Sequence, residues 1–103
     1  MAKRYKIEYT PSFMVQLHEI LFYIRFELQN DVSAENLMNE IIDKIEKRSL
    51  SPESYKVYKT FKNGKIKYYR LNVKSYSIFY EVENSIMKVN AIFYSGRNLD
   101  NLL

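Results

Sequence analysis

The chain opens with a short alternation. Tyr5-Lys-Ile-Glu-Tyr9 sets apolar against polar residues with a period of two, which predicts a half-buried strand. Thr10 and Pro11 end it, one suited to an N-cap and the other to the first helical position. From there Phe13, Leu17, Ile20, Ile24 and Leu28 recur at helical spacing, with Met14 and Leu21 widening the stripe, so a helix is predicted from Pro11 to about Gln29. Gln29-Asn30-Asp31-Val32 breaks the pattern. Ser33 is then placed to cap a second helix with Glu35 in its first turn and a core stripe of Leu37, Met38, Ile41, Ile42 and Ile45. Lys44 to Arg48 puts basic residues at its negative end, and Ser51-Pro52 stops it because proline disfavours helical geometry in the residue before it. Two helices joined by so short a link form an antiparallel hairpin.

After Tyr55 the period returns to two. Asn63-Gly64, between Lys56–Lys62 and Lys65–Val73, is the strongest short hairpin signal in the chain. Lys74-Ser75 and Asn84-Ser85 are the next turns, separating Tyr76–Glu83 from Ile86–Tyr94, both rich in β-branched and aromatic residues. The predicted class is α+β: an N-terminal strand and an antiparallel helical hairpin packed on one face of a twisted antiparallel sheet of about four to five strands. No repeat, linker or low-complexity tract divides residues 1–103, and a chain of this length is expected to be a single domain.

Composition narrows the function. With 47% apolar and 16% aromatic residues, the chain has enough apolar surface to form a core. Cysteine is absent, which excludes disulfides and thiolate zinc sites and fits a cytoplasmic protein. The basic start leads into Ile7-Glu-Tyr-Thr-Pro11 and not into an apolar run, so neither a signal peptide nor a membrane segment is expected. Two glycines are too few for a Walker or Rossmann pattern, and no cofactor is expected. The net charge of +4 is unevenly spread: Lys56, Lys59, Lys62, Lys65, Lys67, Arg70 and Lys74 lie between Tyr55 and Ser75 with no acid among them. That density suits a polyanion or an acidic protein partner, and equally a solvated strand face.

Few side chains offer chemistry. His18 is the only histidine, set among Met14, Leu21 and Phe22, and reads as structural or exposed. Glu81 and Glu83 share a strand face but have no third ligand in sight, so no metal site is expected. Along Lys65–Val73, Ile66, Tyr68, Arg70 and Asn72 point one way while Lys67, Tyr69, Leu71 and Val73 point the other. Tyr68, Arg70 and Asn72 would then line a polar surface if Leu71 and Val73 meet the helices. Arginine offers phosphate a rigid bidentate donor and tyrosine offers bases a stacking platform. A cross-strand aromatic ladder with a snorkelling arginine satisfies the same spacing.

Four segments carry a resemblance that spans nearly the whole chain. Tyr5-Lys-Ile-Glu-Tyr-Thr-Pro11, Leu50-Ser-Pro52, Tyr69-Arg-Leu-Asn-Val-Lys-Ser-Tyr-Ser-Ile-Phe-Tyr-Glu-Val82 and Ala91-Ile-Phe-Tyr-Ser-Gly-Arg-Asn-Leu-Asp-Asn-Leu-Leu103 are similar to the opening, helix exit, central hairpin and ending of RelE/ParE toxins. The resemblance implies a growth-arresting toxin of a type II toxin-antitoxin system, neutralised by a cognate antitoxin protein, as a homodimer or as a hetero-oligomer with that antitoxin. A ParE-like chain inhibits DNA gyrase without being an enzyme. A RelE-like chain is a metal-independent endoribonuclease that cuts messenger RNA on the ribosome, with basic and tyrosine side chains stabilising charge.

By position, Arg70 and Arg97 fall where the ribonuclease branch places functional cations, whereas Ser77, after Tyr76, stands where that branch commonly has arginine. The chain also lacks that branch's C-terminal tyrosine, and Phe93 precedes Tyr94 where a YoeB-like ending would have histidine. Tyr94 is left as a proton-transfer candidate, a role in which tyrosine needs strong cationic help. Phe93-Tyr94-Ser95-Gly96-Arg97 with its Leu-Leu finish is closer to ParE-like chains. The expected target-binding residues are Lys67, Tyr68, Arg70, Tyr76 and Arg97, with Arg70, Arg97 and Tyr94 as the catalytic candidates if the chain is RelE-like. A third possibility is a basic nucleic-acid-binding module without toxicity, although no helix-turn-helix or RNA-binding signature is present.

Overall fold

Thr10 fixes the start of the helical layer. In the computed structural model, which describes residues 5–96, its hydroxyl accepts the Phe13 N–H at 3.1 Å while Pro11 takes the first helical position. Strand β1 (Lys6–Tyr9) therefore hands over directly to helix α1 (Pro11–Phe22), which continues as a π-helical turn over Tyr23–Glu27. That turn is closed by the Leu28 N–H donating to the Tyr23 carbonyl, five residues back. The extra residue rotates the helical phase. Phe13, Leu17 and Ile24 stay in the core, but Leu28, expected on the same stripe, is 56% exposed.

Helix α2 (Asp31–Arg48) begins three residues earlier than expected, because Asn30 and not Ser33 is its cap. The Asn30 Oδ1 accepts the Ser33 N–H at 3.0 Å, and Asp31 rather than Glu35 supplies the acidic group of the first turn. Its buried positions are Ala34, Leu37, Ile41 and Ile45, with Met38 packed beside them. Ile42, assigned to the stripe from spacing, is only partly buried.

Strands β2 (Val57–Phe61), β3 (Ile66–Val73), β4 (Tyr76–Glu83) and β5 (Ile86–Tyr94) form the antiparallel meander. Its turns fall where the sequence put them, and Asn63, Gly64, Asn84 and Ser85 all adopt the positive φ that two-residue hairpins require. The sheet order is β1-β5-β4-β3-β2, and β1 pairs with β5 in parallel, so the expectation of a wholly antiparallel sheet is corrected at that edge. The reason is connectivity: tight turns compel their neighbours to be antiparallel, whereas β1 reaches its partner only through all the intervening chain.

One face of the sheet lies under the helices. Tyr69, Leu71 and Val73 of β3, Ile78 and Tyr80 of β4, and Met87, Val89 and Ile92 of β5 meet Phe13, Leu17, Leu37, Ile41 and Ile45 there. A bulge at Asn90 keeps β5 in step with β4: Tyr80 pairs with Val89 while Phe79 pairs with Ala91. The Asn90 carbonyl accepts from the Thr10 hydroxyl at 3.1 Å, and the Ile92 N–H donates to Gln16 Oε1 at 3.0 Å, so side chains of the helical layer satisfy backbone groups beside the bulge.

Arg48 fastens the end of α2 to the sheet. Its Nη1 donates to the Tyr80 hydroxyl at 2.9 Å and to the Arg70 carbonyl at 3.5 Å, and its guanidinium lies 3.5 Å from the Tyr55 ring centroid. The Tyr80 hydroxyl, wholly buried, donates in turn to the Pro52 carbonyl at 2.7 Å. Tyr69 stacks on Tyr80 with ring centroids 5.2 Å apart. Burial pushes the Tyr80 phenol above its ordinary value, only partly opposed by its hydrogen bond to Arg48.

Candidate functional site

The face of the sheet turned away from the helices carries the polar surface expected on β3. Because side chains alternate, burying Tyr69, Leu71 and Val73 leaves Tyr68, Arg70 and Asn72 on this open face. Arg70 lies opposite Phe79 of β4. Phe79 is fully buried within a small second cluster with Ala91, Tyr58 and Phe93, its ring 5.2 Å from that of Tyr58 and 6.3 Å from that of Phe93. A second bulge, between Val57 and Lys59, makes Tyr58 the extra residue of β2, and the Arg70 guanidinium sits 5.5 Å from its ring centroid.

A chain of hydrogen bonds orients that arginine. Arg70 Nε donates to Asn72 Oδ1 at 2.9 Å, and the Ser77 hydroxyl donates to the same oxygen at 3.2 Å. The Ser77 and Ser95 hydroxyl oxygens are 2.8 Å apart. An arginine Nε can only donate, so Asn72 must present its oxygen. Ser77 has one proton and gives it to Asn72, so Ser95 is the donor to Ser77. The guanidinium is thus held by Nε and by the Tyr58 ring, which presents the Nη pair as a fork suited to phosphate or carboxylate.

Ser77 occupies the position where the ribonuclease branch was expected to carry arginine. It is fully buried and committed to the Asn72–Ser95 network. Here it positions Arg70 through Asn72. Sequence spacing put Asn72 beside Arg70, but the parts played by Tyr58, Phe79, Phe93 and Ser95 depend on cross-strand register and a bulge, which no local signal announces.

The expected site residues do not all converge. Tyr68 shares the open face with Arg70, edge-on to Phe61 at 5.4 Å, its phenol raised by burial and then by the Glu81 charge. Lys67 lies opposite Thr60 with the other parity, facing the helix side. Tyr76 and Tyr94 pair across β4 and β5, ring centroids 6.0 Å apart, on the helix side of the sheet and away from Arg70. Burial raises the Tyr76 phenol, with Tyr94 and Tyr23 adding to the shift. Arg97 and the Leu-Leu ending lie outside the described residues. His18 is exposed beside Phe22, and among the described residues no three metal-ligating side chains cluster. No described helix is long and apolar enough to cross a membrane.

A second exposed feature is apolar. Met14, Val15, Phe22, Tyr23, Phe26, Leu28 and Val32, on α1, the π turn, the link and the first turn of α2, are each about half exposed or more, and the Phe22 and Phe26 rings touch at 4.6 Å. So much exposed aromatic surface on one hairpin is more than a face turned only to water usually carries.

Comparison with known proteins fits this geometry. Residues 7–99 match the family described as ParE toxin of type II toxin-antitoxin system, parDE. The fold superposes on the chromosomal ParDE TA system from P. aeruginosa with a TM-score of 0.70 and 12% identity, covering 88% of this chain and 96% of that one. It also superposes on the archaeal RelE-RelB complex from Pyrococcus horikoshii OT3 with a TM-score of 0.55 and 18% identity, covering 92% and 99%. No curated protein sequence matches the chain.

Proposed function

The chain belongs to the ParE toxin family of type II toxin-antitoxin systems, and on that premise we propose that it arrests growth by binding DNA gyrase. The surroundings of Arg70 carry the choice of target. The arginine is anchored by Asn72 and Tyr58 beside an apolar cluster, whereas Tyr94, the tyrosine considered for proton transfer, stands with Tyr76 on the opposite face. A protein that holds its target needs an oriented anchor, while cleavage of a phosphodiester needs an acid and a base at the attacked phosphate.

Its partner in the resting cell is a cognate antitoxin. The two solved structures named above are described as ParDE and RelE-RelB assemblies, and the half-exposed aromatic residues of the helical hairpin offer an antitoxin segment its apolar footing. The site of action is the cytoplasm, where gyrase and its DNA are found.

One observation favours RelE-like ribonuclease action instead. Arg70 over the Tyr58 ring is an arrangement that an RNA phosphate and an unstacked base can both engage. Pulse labelling of protein and DNA synthesis, just after induction without antitoxin, separates the two. DNA synthesis falling first with a DNA-damage response is expected; an immediate collapse of protein synthesis would overturn the gyrase assignment.

A further inference from the structure

The tip of the β2–β3 hairpin is strongly charged and stands apart from the Arg70 network. Lys62, Lys65 and Lys67 are exposed, and among the described residues none of them forms an ion pair. The turn that carries them is short and defined: the Lys65 N–H donates to the Lys62 carbonyl at 3.2 Å, and Asn63 and Gly64 take positive φ. Lys59, opposite Tyr68, leaves the ribbon on the open face with its amine 5.1 Å from the Phe61 ring centroid; Lys67, opposite Thr60, leaves on the other. Positive charge therefore surrounds the end of a two-stranded ribbon.

This distribution selects among polyanions. A single strand is bound in a one-sided trough with rings stacked along it. A ribbon charged on both faces fits between two phosphate backbones, and the major groove of duplex DNA, about 12 Å wide, admits such a ribbon. Lysines act as point charges that position a protein on DNA without reading sequence. Glu81 and Glu83 share a surface depression with Lys65 and Lys67, so Lys62, outside that depression, leads the contact, with Lys65 beside it across the turn.

We propose that the β2–β3 hairpin is a sequence-independent contact for the backbone of duplex DNA, made while the toxin is on its gyrase target. The biological setting rests on the gyrase assignment, but the contact is measured without gyrase. Fluorescence anisotropy of a short labelled duplex with the purified chain is expected to show binding that weakens about 40-fold between about 50 and about 200 mM salt, as for roughly three phosphate contacts. Replacing both leading lysines, Lys62→Gln with Lys65→Gln, should make the log–log slope shallower by about 1.8. The pair Lys62→Arg with Lys65→Arg should keep the slope, and circular dichroism should show both variants folded.

An unchanged slope in the glutamine pair, or no binding at the lowest salt, overturns the proposal. So does tighter binding to single-stranded RNA, or displacement of the duplex by poly-glutamate more readily than by unlabelled duplex, which would mark an acidic protein partner. Absence of duplex binding while DNA synthesis still falls first sinks the hairpin contact alone. Duplex binding as described, with protein synthesis falling first, sinks the gyrase assignment and leaves the contact standing.

Discussion

Replacing Tyr80 with phenylalanine removes one buried hydroxyl and little else. That hydroxyl donates to the Pro52 carbonyl at 2.7 Å and accepts from Arg48 Nη1 at 2.9 Å. A neutral hydrogen bond contributes about 1 kcal/mol net and one to a charged group about 1.5–3, so the gross loss approaches about 4. Arg48 keeps the Arg70 carbonyl and the Tyr55 ring and is only partly buried, so water recovers part of its share. The expected cost is about 2 kcal/mol, read as a fall in urea midpoint at constant m-value. For a domain of this size the same loss lowers Tm by about 10 °C.

The pH dependence of that cost checks its origin. Unfolded tyrosine ionises near pH ~10, whereas burial holds folded Tyr80 neutral to higher pH. Above pH ~10 the unfolded native-sequence chain releases a proton that the folded chain retains, so the stability tied to neutral Tyr80 is full below that pH and is lost as pH climbs through the raised folded value. Tyr80→Phe lacks this titration. The gap between the two proteins should be constant from pH ~7 to ~9 and narrow above ~10. A cost below about 0.5 kcal/mol, or a gap that widens in alkali, would refute the role given to this hydroxyl.

Other outcomes follow from the site and its surroundings. Arg70→Ala and Arg97→Ala should each reduce toxicity on induction while leaving a folded protein by circular dichroism; full toxicity in both would remove the basis for naming them. Asn72→Ala, which releases Nε, should weaken toxicity in the same direction as Arg70→Ala, and the double variant should add little beyond the worse single one, since the two residues act as one unit. Ser77→Arg should fail to create a ribonuclease and should cost about 3 kcal/mol or more in urea unfolding, because the position is fully enclosed and a second guanidinium would displace the Asn72–Ser95 network. Phe22→Glu, on exposed helix surface, should change stability by less than about 0.5 kcal/mol yet reduce self-association of the isolated chain in sedimentation experiments.

Local rules reached far in this chain. Alternation on β3 identified both faces, the Thr10-Pro11 pair located the start of α1, and Asn63-Gly64, Lys74-Ser75 and Asn84-Ser85 located the turns, because each depends on residues within one or two positions of itself. What stayed hidden involves partners far along the chain. The parallel pairing of β1, the bulges at Tyr58 and Asn90, and the Arg48–Tyr80–Pro52 tie are decided by tertiary register. The π turn at Tyr23 is local, but its effect on Leu28 is visible only once the helix is seen against the core. At the site, spacing put Tyr68, Arg70 and Asn72 together, whereas Tyr76 and Tyr94 are expected there from the resemblance alone, and strand parity across two hairpins sends their rings to the helix side.

The pairing of β1 with β5 also sets an order of events during synthesis. Lys6 lies beside Ile86, so the first strand has no edge to join until the last one has left the ribosome. At about 5–20 residues per second, the intervening stretch of about 80 residues leaves β1 without its partner strand for roughly 4–16 s. Once α2 is made, and until the sheet is in place, the core stripes of α1 and α2 are open to any apolar segment nearby. A nascent chain halted before Ile86 should therefore leave β1 open to rapid proteolysis, and one released after Tyr94 should protect it. The toxin fold is completed only when its first and last described strands meet, and each newly made molecule passes through a period in which it can be captured but cannot yet act.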